Sequence, residues 1–519
     1  MEYRYLWPEA PEAHNAGIYS GLPDSLPGLL LKRAQKSPDK IALIDGEIRR
    51  TYAQLWEESG RAAILLRQQG LEPKDRVVLR LANSWRLVVW VLGIMRAGGI
   101  AVPINYRFRD YEWATIAKVV RPRIVVGGQA ISQDALVLSM DPEAFERVSA
   151  STIGTVDFSG PGVGLLFMTS GTTGTPKAVA LTHENILTSA ATYCRIFDLT
   201  SSDSTLVAVP LCHVTGFVGQ LVALLLAGGL VAVLPRFTEA GFFENMLQHQ
   251  ISHFFGVPAI YARLMARLSE APSLPHWRIA ASGGAPLSPS RARELAKAWP
   301  QLRFFNTYGM TEVSSPATIL PASQFHKHPE SVGRPVPFAS LRVVSLTTDE
   351  DVPTGEIGEL WVRGPMVAQE YWQNPGETQA RFHQGWIRSG DLARVDSAGL
   401  FYIVGRIKDI INRGAEKISP GEVEQVLYAH PGIDEASILG VPHDLWGEEV
   451  GALVVLKPGW SLSAEDIRTW VKEHLAPFKV PTSIAISSDM PRNENGKVDK
   501  SVVKLIILAG RDIMPRNEG

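Results

Sequence analysis

Residues 167 to 177, Phe-Met-Thr-Ser-Gly-Thr-Thr-Gly-Thr-Pro-Lys, set glycines, hydroxyl side chains and a lysine behind an apolar run. That combination suits a phosphate. Gly171 and Gly174 let backbone N–H groups approach oxygens closely, the hydroxyls of Thr169, Ser170, Thr172, Thr173 and Thr175 can donate to them, and Lys177 adds positive charge. The loop is not a Walker A motif, which needs glycine directly before its lysine, where this chain has Pro176. A flexible Ser/Thr/Gly linker shares the composition, but it has no need of the strand-like Val163 to Met168 run that precedes it.

Four further segments carry chemistry-bearing residues. Tyr308-Gly309-Met310-Thr311-Glu312 offers an aromatic face for a base, a hydroxyl, and a carboxylate able to hold Mg²⁺ beside phosphates; it could equally be a strand-to-helix turn. Asp391, in what reads as a tight turn after Ser389-Gly390, can accept from two ribose hydroxyls, or can close an ordinary Asx turn. Gly405-Arg406-Ile407-Lys408-Asp409, with Asn412 to Lys417 behind it, reads as a charged interdomain linker. Pro491 to Lys497 is a turn-rich loop that presents a lysine at its tip.

These segments need a scaffold, and 519 residues are too many for one core, so two or more domains are expected. With 45% apolar and 20% charged residues the chain is globular, and a net charge of −2 argues against nucleic-acid binding by bulk electrostatics. Two cysteines, Cys194 and Cys212, without paired spacing point to a reducing compartment and no structural zinc. The opening Met-Glu-Tyr-Arg-Tyr-Leu-Trp-Pro lacks the basic and apolar runs of a signal peptide, so a cytoplasmic protein is expected. Val218 to Leu234 is free of formal charge, but Gln220 and Gly228-Gly229 interrupt it. A buried helix over 218–227, a glycine turn and a strand over 230–234 account for it better than a membrane span.

Strand-like and helical stretches alternate from residue 53 to residue 281, which implies an α/β domain with partly parallel sheets. Between about 331 and 403 short strands punctuated by Gly, Pro and Asp predict an antiparallel, β-barrel-like subdomain. Beyond Gly405, Ser419-Pro420-Gly421-Glu422 reads as a capping box with proline at the first helical position, and Val423, Val426 and Leu427 form a stripe behind it. A strand over 452–456 and a helix over 464–475, capped by Ser463, follow. The expected division is 1–405 as the large domain, 406–408 as a hinge and 409–519 as a small, mobile α+β domain.

In this order and spacing, the segments resemble the adenylate-forming superfamily of acyl-CoA synthetases, carrier-protein adenylation domains and firefly-type luciferases, over about Leu29 to Lys500. The resemblance implies a two-step ligase. A carboxylate attacks the α-phosphate of ATP to give acyl-AMP and pyrophosphate, and a thiol such as that of coenzyme A then displaces AMP. It assigns Lys497 and Thr311 to the α-phosphate, Glu312 to Mg²⁺, residues 169–177 to the β- and γ-phosphates, Asp391 and Arg406 to the ribose, and Tyr308 with Gly283-Gly284-Ala285-Pro286 to adenine. It places the hinge at Lys408 and Gly414 beside the pantetheine, where Ala415 departs from the usual second glycine. His213, Val214, Gly216 and Phe217 match the segment that borders the acyl site, with His213 beside the carboxylate or else in the core. Amino-acid-activating relatives usually carry an aspartate here, and none occurs from Pro210 to Phe217, which favours an acid without an α-amino group, fatty or aromatic. The wording of residues 413–420 also resembles ligases for small dicarboxylates. A stand-alone enzyme loading an acyl carrier protein is the alternative. A catalytically silent nucleotide-binding protein is opposed by the presence together of Lys177, Glu312, Asp391, Arg406 and Lys497. Monomer and homodimer both remain open.

Overall fold

Strands that are apolar on both faces must be covered on both faces, and helices are the usual cover for parallel strands. The computed structural model describes residues 21–128, 138–149, 162–169, 176–285, 287, 289–414, 416–492 and 497–511, and obeys this rule in its first two sheets. One has six strands in the order Leu138–Met140, Ile124–Val126, Arg76–Leu79, Ile100–Pro103, Val163–Thr169 and Lys177–Thr182. All neighbours are parallel except the last pair. The other has nine strands, parallel from Arg303–Tyr308 through Ile279–Ser282, His253–Gly256, Ser204–Val207 and Leu230–Val233 to Ile41–Asp45, with antiparallel strands at both edges. Helices Trp85–Arg96 and His183–Phe197 are buried along almost their whole length, in one core shared with strands of both sheets.

Burying Trp85–Arg96 completely brings a cation inside. Arg96 is 3% exposed, and its guanidinium lies 3.4 Å above the Trp56 ring and donates to Trp56 O and Ser59 Oγ. Stacking and hydrogen bonds together offset the loss of hydration.

The third sheet is antiparallel, as its sequence predicted. Ser340–Val344, Gly358–Arg363 and Trp386–Val395 lie side by side, and the last of these also pairs with Phe382–His383 and Phe401–Arg406. The fourth sheet, from residue 411 onward, joins Glu416–Ile418, Ile411–Arg413, Gly447–Leu456, Ile433–His443 and Ser483–Ser487 around its own core of Ile411, Val423, Leu427, Ile438, Val454 and Ile467. The chain thus combines a large α/β part with a smaller α+β part. Among the described residues no helix is long and apolar enough to cross a membrane.

Two local expectations are corrected. The stretch expected as a plain helix over 218–227 opens as a π-helix, Phe217–Val222, before becoming α-helical at Ala223–Ala227. The wide turn accommodates Gln220, fully buried, whose Oε1 accepts from Thr205 Oγ1 at 3.2 Å and Phe255 N at 3.3 Å. Ser419 occupies the cap position of helix Pro420–Ala429, but its hydroxyl caps nothing in that helix: it donates to Val404 O at 2.7 Å, while Glu422 accepts from Lys479 at 2.6 Å. A carbonyl on a neighbouring strand and a nearby ammonium outcompete the local capping box. The expectation that the chain frays after Arg511 concerns residues outside those described.

Two buried histidines make stability depend on pH. His253 is fully buried with Nδ1 3.0 Å from Thr205 Oγ1, and His183 Nδ1 accepts from Leu26 N at 3.4 Å. Burial holds their pKa values down, at about 3 for His253 and about 4 for His183. Below pH 6.5 the unfolded chain therefore takes up protons that the folded chain refuses, so their contribution is intact above that pH and declines as pH falls. Lowering pH from 6.5 to 5 should cost about 1.6 kcal/mol per histidine, read as a drop in the urea midpoint. His253→Asn should flatten this dependence by one histidine's share, and an unchanged slope would exclude His253 as a source.

Candidate active site

Strand Val163–Thr169 returns as Lys177–Thr182 with Thr169 directly opposite Lys177, so a hairpin delivers both residues to one end of the six-stranded sheet. Ser170, Gly171, Thr172, Thr173, Gly174 and Thr175 lie outside the described residues. Lys177 is 8% exposed; its ammonium is 2.6 Å from Glu377 Oε2 and 5.3 Å from the centre of the Tyr371 ring. The same tyrosine donates its hydroxyl to Glu312 Oε1 at 2.8 Å. Tyr371 therefore stands between the lysine expected at the terminal phosphates and the carboxylate expected at Mg²⁺.

Glu312 and Thr311 belong to the single turn Thr311–Val313 that follows strand Arg303–Tyr308. No cluster of three or more His, Cys, Asp or Glu suited to a metal occurs among the described residues. One buried carboxylate fits a hard cation whose other ligands are phosphate and water oxygens, which is how Mg²⁺ accompanies nucleotides.

Asp391 was expected in a tight turn and Arg406 in a linker; both lie in strands. They are opposite each other in the pair Trp386–Val395 and Phe401–Arg406. Gly390, at φ +72°, bends the first strand there, and Asp391 N bonds back to Ser389 Oγ at 3.0 Å. The Asp391 carboxylate, 6% exposed, meets Arg406 Nε at 3.0 Å and accepts the Tyr308 hydroxyl at 2.6 Å. Burial and the carboxylate push the Tyr308 pKa well above its usual value, so that hydroxyl is a permanent donor. Asp391 in turn raises the pKa of Arg406.

Lys497 arrives from the fourth sheet's part of the chain. Lys497 is exposed, yet partial dehydration of its ammonium lowers its pKa; Arg406 adds to that, while Asp391 and Glu312 oppose it. A lysine near the C-terminus thus shares one electrostatic neighbourhood with groups from two strands and a turn far upstream. Lys408 is exposed in the short turn Ile407–Asp409, directly after Arg406.

Of the acyl-site candidates, half-buried His213 precedes the short helix Val214–Gly216, and Val214, Gly216 and Phe217 are buried. Phe217 meets Phe167 edge to face at 5.7 Å, so an apolar wall continues into the strand that ends at Thr169. Gly284 is exposed and Ala285 half-buried at the end of strand Ile279–Ser282; Pro286 lies outside the described residues. Gly414 lies in the turn directly after strand Ile411–Arg413 of the fourth sheet, where its N–H donates to Trp446 O at 2.8 Å. Ala415 lies outside the described residues.

Sequence reasoning missed Tyr371 and Glu377. The local signal was present, since Asn374-Pro375 marks a helix start and Asn374 does accept from Glu377 N at 3.2 Å. Nothing local shows that Glu377 meets a lysine 200 positions away.

Two family models match the chain, AMP-binding enzyme over residues 30–372 and AMP-binding enzyme C-terminal domain over residues 422–497. An oxalate–CoA ligase from Arabidopsis thaliana is 33% identical over 92% of this chain and 98% of its own. A feruloyl-CoA synthase from an Amycolatopsis species is 32% identical, over 91% and 97% respectively. Among solved structures, O-succinylbenzoate coenzyme A synthetase (MenE) from Bacillus subtilis, in complex with ATP and a magnesium ion, has a TM-score of 0.80 at 26% identity, covering 91% of this chain and 98% of that one.

Gly414 offers a test of the fourth sheet's geometry. Its φ is +61°, and an added Cβ would stand 3.0 Å from the Trp446 ring. Gly414→Ala should cost about 1–2 kcal/mol in stability from backbone strain. Thermal unfolding would reveal it, and a melting temperature equal to wild type would refute this conformation.

Proposed function

The chain belongs to the AMP-binding enzyme family, and from that premise we propose that it is an ATP-dependent acid–CoA ligase working through an acyl adenylate. In the first step a carboxylate oxygen bonds to the α-phosphorus of ATP as pyrophosphate leaves. In the second, the sulfur of coenzyme A bonds to the acyl carbon as the carbon–oxygen bond to AMP breaks. Both reactants of the first step are anions, so cations must be held where they meet. The observation that carries the reading is the cluster in which Asp391 meets Arg406 at 3.0 Å and accepts the Tyr308 hydroxyl at 2.6 Å, with Lys497 in the same electrostatic neighbourhood.

Each residue then has a role. Lys497 sits against the attacking carboxylate and the α-phosphate, with Thr311 donating to the same phosphate. Lys177 exchanges Glu377 for the leaving pyrophosphate, together with Thr169 and the residues after it. Asp391, oriented by Tyr308 and Arg406, accepts the ribose hydroxyls, while Tyr308 and the Gly284-Ala285 segment border adenine. Glu312 holds Mg²⁺, which supplies positive charge along the phosphates when bound. His213 faces the acid's carboxylate.

The chain divides under this reading into a body over 1–405, a hinge over 406–408 and a mobile unit over 409–519. Asp409, just past Lys408, pairs with Lys500 at 2.7 Å, so rotation at the hinge carries Lys497 along. Once Lys497 withdraws, the thiol can approach, with Gly414 lining its path. Val214, Phe217 and Phe167 favour a fatty or aromatic acid; the 33% identity to an oxalate–CoA ligase favours a short dicarboxylic acid as the second reading. Coenzyme A is the proposed acceptor, an acyl carrier protein the alternative. A reducing, cytoplasmic setting fits Cys194 and Cys212, neither in a disulfide.

Lys497→Ala should slow pyrophosphate release by about 10²–10³-fold and spare thioester formation from supplied acyl-AMP. Equal loss of both steps would end its assignment. Pyrophosphate release across fatty, aromatic and dicarboxylic acids, with and without coenzyme A, identifies the acid. Release with no acyl-CoA product would move the acceptor to a carrier protein.

A further inference from the structure

The loop that carries Lys497 is tied to the nucleotide-binding body by a cluster of four charges. Arg291, on helix Pro289–Ala298 just past the Gly284-Ala285 segment, sets Nη2 2.9 Å from Asp434 Oδ2 and 3.7 Å from Glu435 Oε1. Glu435 also pairs with Arg492. The four side chains are 19–29% exposed, so the pairs are only partly hydrated and weakly screened. Arg492 lies at the base of the Lys497 loop: it bridges Val498 in antiparallel fashion, and Asp499 N donates to Pro491 O at 2.9 Å. Lys497 is the residue directly before that bridge.

An ordinary surface ion pair needs no function and contributes little. This cluster differs in what it joins. Asp434 and Glu435 lie in the long strand Ile433–His443 of the fourth sheet, so the Glu435–Arg492 pair is internal to the unit that carries Lys497. The Arg291 pairs instead cross to the body. Any rotation at Lys408 must break the second set and can keep the first.

We propose that Glu435, assisted by Asp434, is a positioning residue for adenylation: it fixes Arg492 at the base of the Lys497 loop and clamps that loop to Arg291 only when Lys497 faces the nucleotide. The clamp rests on the reading of Lys497 as the adenylation lysine. Its chemistry is one of placement, since none of the four groups needs to touch substrate. Losing it leaves Lys497 intact but less often in place, so the adenylation rate suffers more than the affinity for ATP. The thiol step, which needs the other arrangement, is spared or accelerated.

The test uses the full-length enzyme with an acid accepted in the panel above. Arg291→Gln, and Asp434→Asn combined with Glu435→Gln, are assayed for acyl-AMP formation and separately for thioester formation from supplied acyl-AMP. The expected result is a tenfold or greater fall in kcat of the first step, a smaller change in KM for ATP, and a second step at or above the wild-type rate. Arg291→Glu should be more defective still, and adding Asp434→Arg should recover at least tenfold. Equal loss in both steps, no loss in either, or failure of the charge swap to recover the first step would overturn the proposal. Lys497→Ala, run beside them, separates the two readings. If it abolishes acyl-AMP formation while the cluster variants do not, only the clamp falls; if it leaves acyl-AMP formation intact, the assignment of Lys497 and the clamp fall together.

Discussion

A carboxylate and a triphosphate repel each other, and a site that joins them must hold concentrated positive charge without collapsing onto its own carboxylates. That requirement organises the structure. Arg406 ends the last strand of the antiparallel sheet with its guanidinium on Asp391, and the chain leaves for its fourth sheet directly afterwards. The same few residues thus close the proposed ribose site, begin the proposed hinge and help depress the pKa of Lys497. A dehydrated ammonium beside a second cation is poorly solvated by its own protein and correspondingly receptive to a phosphate.

The other charged groups are held by internal partners that resemble what the substrates would bring. Lys177 rests on Glu377, Glu312 accepts from Tyr371, and Asp391 accepts from Tyr308. Bare charges at this depth would cost several kcal/mol each, whereas charges that exchange one partner for another cost far less. The buried arginine in helix Trp85–Arg96 and the neutral histidines His183 and His253 show the same economy in the core: the arginine is stacked and hydrogen-bonded, and the histidines are left uncharged. Tyr371 is the connecting element: its ring faces the ammonium of Lys177 and its hydroxyl meets Glu312, so two parts of the proposed nucleotide site share one rigid side chain.

Much of this was legible in the residues. Alternating apolar and helical periodicities gave the parallel sheets, because a strand buried on both faces must be apolar throughout, and the switch to short Gly- and Pro-punctuated strands gave the antiparallel sheet. Asp391, Arg406 and Lys497 stood out because each directly follows a glycine, Lys177 because it closes a loop of glycines and hydroxyls, and Glu312 because it ends the Tyr308-Gly309-Met310-Thr311 run. The local readings that failed did so where a distant partner won. Ser419 gave its hydroxyl to Val404 rather than to its own helix, Asp391 was drawn into a strand by Arg406, and Gln220 opened a π-turn to reach Phe255.

The sequence by itself determined which elements form and which residue types are available for chemistry, because periodicity, glycine placement and capping act over a few positions. Only the tertiary structure decided which charges neighbour one another: Glu377 with Lys177, Tyr371 with Glu312, and Arg291 with the carboxylates beside the Lys497 loop. Electrostatic interactions depend on distance and burial, and both are set by how sheets pack and where the chain turns back, so pairs separated by hundreds of residues leave no local trace.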